Sequence, residues 1–144
     1  MRVLLDTNVV LDVLLDRSPW AVDAAEVWRL CLEGTLSGHI SATSLTNIYY
    51  VARKWTDRDH ERTSIRLCLD TLIVCAVDRA ALELAHSFPS DDFEDNLQIA
   101  CGLLNDIECI VSRDLTGFVQ SPILTLSARD LITQLSSSGR TSEG

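Results

Sequence analysis

Short apolar runs alternate along the chain with longer stretches in which apolar residues recur at helical spacing. Five apolar runs predict strands, at 2–6, 38–42, 72–77, 109–112 and 122–126. The stretches between them predict helices at about 20–33, 44–55, 57–69, 79–87, 92–105 and 127–135, with a helix or turn at 8–15. This alternation is typical of a parallel sheet covered by helices on both faces.

Residues that favour helix ends predict several boundaries. Ser18 and Pro19 suit the cap and the first position of a helix, and Gly34 suits its end. Ser127 is predicted to cap the last helix. In the helix at 92–105, the apolar residues predicted to form the buried stripe are Phe93, Leu97, Ala100, Cys101 and Leu104.

Length and composition predict one globular domain. The chain has 144 residues, 47% of them apolar, which is enough to bury a core without disulfides. We assign the domain to residues 1–135 and expect a disordered tail at 136–144, a stretch rich in Ser and Gly. No apolar run approaches the ~20 residues of a membrane-spanning helix, and Asp6 interrupts any signal-peptide core. We therefore expect a cytoplasmic protein that does not bind membranes.

Charge and cysteine content narrow the possible functions. A net charge of −9 repels nucleic-acid phosphate at long range, which argues against a simple DNA- or RNA-binding module. It allows an enzyme whose carboxylates bind divalent cations, because such ions reverse the local sign of charge. The five cysteines include no C-x-x-C pair, so we expect free buried thiols and no zinc site.

Three acidic segments are candidates for a shared site. Asp6 and Asp114 each follow an apolar strand, and ligands of open parallel sheets bind beyond the carboxyl ends of the strands. The third segment opens the helix at 92–105 and contains Asp91, Asp92, Glu94 and Asp95. Carboxylates gathered in one pocket repel each other, and Mg²⁺ or Mn²⁺ would relieve that repulsion. Such a site can bind a scissile phosphate and activate water.

The same acids have structural explanations that the sequence leaves open. Asp91 and Glu94 fit a helix capping box, D-x-x-E. Asp6 fits a helix cap and Asp114 fits a turn. Chance placement of three such segments together is the weaker explanation.

The stretch at 53–66 is a candidate RNA-binding surface. It holds five of the twelve Lys and Arg residues and lies beside Tyr49, Tyr50 and Trp55. Basic and aromatic side chains together can hold single-stranded RNA. The predicted RNA contacts are Arg53, Lys54, Arg58 and Arg113. The alternative is a solvated pair of helices in which neighbouring acids offset the basic charge.

Other acidic-pocket enzymes and nucleotide-binding folds fit less well. A haloacid-dehalogenase-type phosphatase needs a second aspartate where Asn8 stands, and a receiver domain needs a lysine at the fifth strand. The single lysine, Lys54, is in a predicted helix. No G-x-G-x-x-G or G-x-x-x-x-G-K-[ST] motif occurs.

Three segments, in order, resemble the motifs of PIN domains. Residues 4–12, LLDTNVVLD, resemble the opening strand and D-T-N motif of that family. Residues 92–100, DFEDNLQIA, resemble its D-F-E-D-x-x-Q-x-A segment. Residues 110–118, IVSRDLTGF, resemble its T-R-N/D-x-x-D-F segment. The resemblance extends over about residues 1–133.

The resemblance implies a three-layer α/β/α sandwich around a parallel sheet of about five strands. It also implies endoribonuclease activity that depends on Mg²⁺ or Mn²⁺, with Asp6, Asp95 and Asp114 as catalytic residues and metal ligands. Many small members are toxins of VapBC-type toxin–antitoxin pairs, often dimeric and inhibited by an antitoxin segment in the active-site groove. We therefore expect RNA as substrate, an antitoxin as partner, and a homodimer.

The sequence also departs from the family pattern. Asn47 stands where members usually carry a second acid, and Gly117 where they often carry Asp. Both changes reduce the negative charge of the site. The residues expected to support it are Asp92, Asn8, Asn47 and Ser112. The alternative function is a PIN-fold protein with weak or lost nuclease activity that acts mainly by binding protein or RNA.

Overall fold

The chain folds around a five-stranded sheet in which all strand pairs are parallel. The computed structural model describes residues 1–143 and, among these, the side chains of residues 1–138. The strands are β1 (Arg2–Leu5), β2 (Ser37–Ser41), β3 (Ile73–Cys75), β4 (Cys109–Val111) and β5 (Leu124–Leu126). Their order across the sheet is β3-β2-β1-β4-β5.

Seven α-helices and one 3₁₀ helix, at Thr116–Phe118, accompany the strands within residues 1–143. The α-helices are α1 (Thr7–Leu14), α2 (Ala21–Leu32), α3 (Ala42–Trp55), α4 (Arg58–Thr71), α5 (Arg79–Ser87), α6 (Phe93–Leu104) and α7 (Ala128–Glu143). None of the helices in these residues is long and apolar enough to cross a membrane.

The helices cover both faces of the sheet because successive strand residues face opposite sides. Val3 and Leu5 of β1 pack into a core with side chains of α1, α2, α3, α4 and α7. Leu4, between them, packs into a second core with α5 and α6. The predicted α/β/α sandwich is therefore confirmed.

The strand order changes direction at β1, and this creates the crevice that matters for function. From β1 the chain moves outward to β2 and β3, then returns to place β4 and β5 on the other side of β1. Parallel sheets open a crevice at such a switch point, beyond the carboxyl ends of the strands. Asp6 follows β1 and Ser112 follows β4, so the topology brings two predicted site residues to this point.

The predicted cap of α2 is wrong. Helix α2 begins at Ala21 after Trp20, and Ser18 does not cap it. The backbone amides of Trp20 and Ala21 instead donate to the carbonyl of Arg17, so main-chain bonds close the turn before the helix.

The cap of α6 and its buried stripe also differ from prediction. The capping residue is Asp92, one position after the predicted Asp91. Leu97, Ala100 and Cys101 are buried, but Phe93 is 45% and Leu104 is 51% exposed. These two are the first and last residues of α6, and end residues have packing neighbours on fewer sides than central ones. Ser127 does cap α7, because its hydroxyl accepts a hydrogen bond from the amide of Asp130.

Helix α7 continues past its predicted end near Leu135, to Glu143. Gly144 lies outside the described residues. The division into a domain at 1–135 and a tail at 136–144 stays a prediction.

All five cysteines are buried and free, as the sequence predicts. Burial raises the pKa of the thiols of Cys31, Cys68, Cys101 and Cys109 to about 11. Protonated thiols of this kind behave as small apolar side chains.

Candidate active site

A cavity of about 620 Å³ opens at the switch point between β1 and β4. Its acidic lining comes from three segments of the chain: Asp6 after β1, Asp92, Glu94 and Asp95 at the start of α6, and Asp114 after β4. The three acidic segments therefore share one cavity.

Three donors hold the carboxylate of Asp6. Its Oδ1 accepts hydrogen bonds from the amide of Thr7 at 2.7 Å and from Nε2 of Gln98 at 3.1 Å. Its Oδ2 accepts one from Oγ of Ser112 at 2.7 Å. Asp6 is also the cap of α1, so capping and a place in the cavity coexist in one side chain.

A buried network of uncharged side chains ties Asp6 to β2 and α3. Nε2 of Gln98 also donates to Oγ of Ser44 at 3.0 Å. The hydroxyls of Thr7 and Ser41 lie 2.9 and 3.0 Å from the same Oγ. Within the described structure, Oε1 of Gln98 has no hydrogen-bond partner. The network orients the Asp6 carboxylate because two of the donors to it, Gln98 and Ser112, are buried.

Asp95 lies in the first turn of α6, next to the capping residue Asp92. Its amide donates to Oδ1 of Asp92 at 3.1 Å. Burial raises the pKa of the Asp95 carboxyl to about 7, and the nearby charges of Asp92, Asp6 and Asp114 add to the rise. Near neutral pH this carboxyl is therefore divided between its protonated and ionised forms.

Asp114 has the opposite character. Oγ1 of Thr116 donates to its Oδ1 at 2.6 Å, and this hydrogen bond lowers the pKa of Asp114. Its amide donates to Oγ of Ser112 at 3.0 Å, the hydroxyl that also donates to Asp6. Ser112 thus links Asp6 to the segment that carries Asp114.

Two arginines border the acidic cavity, and both pair with the buried Asp12. Nε of Arg17 lies 3.0 Å from Oδ1 of Asp12, and Nε of Arg113 lies 2.8 Å from Oδ2. The Arg113 guanidinium also lies over the ring of Trp20, 3.8 Å from its centroid. The side chain of Asp12 is only 1% exposed, so both guanidinium groups balance a buried charge.

The remaining predicted site residues fall into two groups. Those that line the cavity are Asn8, Asn47 and Arg113. The predicted RNA contacts that are not among its lining residues are Arg53, Lys54 and Arg58. Arg53 and Lys54 lie in the last turn of α3 and Arg58 begins α4, and their role stays a prediction.

The sequence analysis assigned no role to Gln98, Ser44 or Arg17. Gln98 is three residues after Asp95, so it is on the same side of α6, and this spacing was an available signal. Ser44 is the third residue of α3, after the cap Ser41. Arg17 is in a turn five residues after Asp12, a spacing that indicates no contact by itself.

The donor chemistry of the cavity fits a divalent cation. Mg²⁺ takes hard oxygen ligands and often only one or two carboxylates, with water completing its shell. Asp6, Asp95 and Asp114 supply such oxygens. Burial raises the pKa of Asp95, the charges of Asp6 and Asp114 add to the rise, and a bound cation would oppose it. Among the described side chains, however, no three or more His, Cys, Asp or Glu residues stand as a ready ligand group.

Comparison with known proteins agrees with the fold. Residues 2–116 match the sequence profile of the PIN domain. The chain belongs to the PIN-domain family. A search of curated proteins found no match.

Solved structures with the same fold include several toxin–antitoxin complexes. A toxin–antitoxin complex from Klebsiella pneumoniae contains a chain 19% identical, with a TM-score of 0.67, over 88% of this PIN domain protein and 97% of that chain. DNA-bound VapBC from Salmonella typhimurium gives 17% identity and a TM-score of 0.67, over 89% and 98%. VapBC2 from Rickettsia felis, bound to a promoter DNA fragment, gives 13% and 0.65, over 88% and 98%. At these identities the likeness shows the fold alone.

Proposed function

We propose that this PIN-domain protein is an endoribonuclease that depends on Mg²⁺ or Mn²⁺ and serves as the toxin of a toxin–antitoxin pair. Proteins of the family are generally nucleases. The observation that carries the proposal is the convergence of Asp6, Asp95 and Asp114 on one cavity at the switch point of the sheet.

Three acids would hold the cation, and neighbouring side chains would orient two of them. Asp6, held by Gln98 and Ser112, and Asp114, held by Thr116, present carboxylate oxygens in fixed orientations. These oxygens, with those of Asp95, would hold the cation. A bound cation would neutralise phosphate charge and make water a better nucleophile. Because the pKa of Asp95 is raised to about 7 in the metal-free protein, cation binding near neutral pH would displace a proton from this carboxyl.

Asn47 and Asp92 have outer roles in this proposal. Asn47 lines the cavity and offers an amide oxygen without charge where family members usually carry an acid. Asp92 caps α6 and accepts the amide of Asp95, so it fixes the start of the helix that carries Asp95. Asn8 orients the neighbouring loop, because its Oδ1 accepts the amide of Arg113 at 3.3 Å.

The decisive experiment is cleavage of a mixed-sequence RNA with Mn²⁺, with and without EDTA. The wild type should cut only with the metal, and Asp6→Asn should lose most of that activity. Asp70→Asn, which changes an exposed acid on α4 paired with Arg66, is the matched control and should cut like the wild type. Equal cleavage by wild type and Asp6→Asn would refute the nuclease proposal.

The toxin role needs its own test, because fold likeness to VapBC-type complexes supports only the proposal of an antitoxin partner. Expression of this chain alone should arrest growth, and co-expression of a small DNA-binding protein encoded next to it should restore growth. A homodimer and a cytoplasmic location stay predictions, which light scattering and cell fractionation would check.

A second candidate function is binding of protein or RNA by a PIN fold with little remaining activity. Asn47 and Gly117 favour it, because each stands where an acid is common in the family. Under this alternative the wild type binds its partner while Mn²⁺-dependent cleavage stays at the level of Asp6→Asn.

A further inference from the structure

An ion cluster of Asp12, Arg17 and Arg113 lies beside the acidic cavity and contains two positive charges and one negative charge. Arg17 and Arg113 both pair with Asp12 through Nε, at 3.0 and 2.8 Å. One guanidinium would suffice to balance one buried carboxylate, so the pair leaves an excess of one positive charge at the border of the cavity. Both arginines also line that cavity, where the other charged lining residues are acidic.

The exposed ends of these arginines are suited to an anion. A guanidinium carries five N–H donors in a rigid fork that matches the oxygens of a phosphate. Nε of each arginine faces Asp12, and Nη2 of Arg17 also donates to the carbonyl of Asn8 at 3.3 Å. The side chains remain 34% and 29% exposed, so both are partly open to solvent.

The cluster holds the arginines before any ligand arrives. Asp12 is buried on α1, and the ring of Trp20 supports the guanidinium of Arg113. A side chain that is already held loses less conformational entropy when it binds, which increases affinity. The cluster is therefore organised as a binding site and not as two freely moving surface cations.

We propose that Arg17 and Arg113, positioned by Asp12, form a phosphate subsite for single-stranded RNA next to the acidic cavity. It would bind a phosphodiester that neighbours the one being cut. This inference rests on the proposed nuclease function for the identity of the ligand. It explains how a chain of net charge −9 can hold a polyanion at this edge of the sheet.

The test measures binding apart from cleavage. In the Asp95→Asn background, a short fluorescent single-stranded RNA is titrated with protein at several KCl concentrations and followed by anisotropy. Arg17→Gln and Arg113→Gln should each weaken binding. Each should also make the negative slope of log K against log salt shallower by about 0.7, the value for one phosphate contact on a single strand. Arg79→Gln, an exposed arginine paired with Glu83 on α5, removes the same charge and should leave the slope unchanged.

Two further variants separate position from charge. Arg17→Lys keeps the charge without the fork and should recover only part of the affinity. Asp12→Asn adds net positive charge but releases both arginines, so the proposal expects weaker binding. Tighter binding by Asp12→Asn would overturn the positioning role. Thermal unfolding of each variant identifies any that fail to fold, and Arg17→Lys still tests the proposal in that case.

The results distinguish this inference from the proposed function. If Arg17→Gln and Arg113→Gln bind like Arg79→Gln, or if the parent binds no RNA at low salt, the phosphate subsite is refuted even if the wild type cleaves RNA. If the arginine variants lose binding while the wild type shows no cleavage with Mn²⁺, the subsite stands and the nuclease proposal fails.

Discussion

Gly117 lies directly against the carboxylate of Asp95. A Cβ atom at residue 117 would stand 2.2 Å from Oδ2 of Asp95, closer than real Cβ atoms approach, and 3.0 Å from its Cγ. The missing side chain at this position therefore leaves room for the acid with the raised pKa. It also explains in physical terms why an aspartate could not be added at 117 without displacing Asp95.

Introducing an acid at residue 117 should lower the rate of Mn²⁺-dependent RNA cleavage. Gly117→Asp would displace the Asp95 carboxylate and add a negative charge beside it, so we expect Mn²⁺-dependent cleavage to fall at least tenfold, which is about 1.4 kcal/mol in the barrier. Gly117→Ala displaces Asp95 without the charge and should cause a smaller loss. The two variants are compared by cleavage rate and melting temperature. A gain of activity in Gly117→Asp would show that Asp95 moves without cost.

The metal-free protein should lose stability as pH rises towards neutrality. Folding raises the pKa of Asp95 from 3.8 to about 7, so between these values the folded state keeps a proton that the unfolded chain has released. This group's contribution to the free energy of unfolding therefore falls as pH rises from about 4 to about 7. Thermal melts in EDTA should show Asp95→Asn gaining on the wild type near pH 8 and not near pH 4. Parallel curves for the two proteins would contradict the shift.

Removal of the metal should lower the melting temperature more at high pH than at low pH. A cation and a proton compete for the Asp95 carboxyl, so Mg²⁺ or Mn²⁺ should raise the melting temperature more near pH 8 than near pH 5. Asp6→Asn should reduce the increase at both pH values. Calorimetry with and without EDTA measures the effect, and an increase independent of pH would show that Asp95 is not a ligand.

Loss of the amide donor of Gln98 should lower the free energy of unfolding. Gln98→Glu replaces the amide that donates to Asp6 and Ser44 with a carboxyl that faces Asp6. We expect a loss of about 1–3 kcal/mol in the free energy of unfolding at neutral pH, and a smaller loss in acid, where the introduced carboxyl is protonated. Gln120→Glu makes the same change at an exposed position and should cost little. Urea unfolding at two pH values tests both variants, and equal costs would refute the role of the amide.

Gly38 allows β2 to pack closely against α2. A Cβ at residue 38 would lie 2.6 Å from Sγ of Cys31 and 2.8 Å from Cδ2 of Leu72. Gly38→Ala should therefore cost about 1–3 kcal/mol through overpacking. Combining it with Cys31→Ala, which removes the sulfur, should cost less than the sum of the two single changes. Combining Gly38→Ala with Cys101→Ala, which lies in the opposite core, should give a cost equal to the sum of the two single changes. If the costs also add for Gly38→Ala with Cys31→Ala, the predicted clash is contradicted.

The sequence alone determined the main elements and indicated the acids of the candidate site. Hydrophobic periodicity predicted all five strands and the parallel α/β arrangement, because burial against a sheet imposes a period that is visible in any one segment. The acids Asp6 and Asp114 could be selected because each ends an apolar strand, and strand ends are where parallel sheets bind ligands. The order of three motifs then indicated the PIN-domain family, which the match over residues 2–116 confirms.

Only the tertiary structure decided which side chains meet. The pairing of Asp12 with both Arg17 and Arg113, the donation from Gln98 to Asp6, and the contact of Gly117 with Asp95 join segments that lie far apart along the chain or follow no regular spacing. A local pattern encodes which face of a helix or strand is buried, but not the neighbour that packs against it. That neighbour is set by the order of the strands and the close packing of the whole core, which no single stretch of sequence contains.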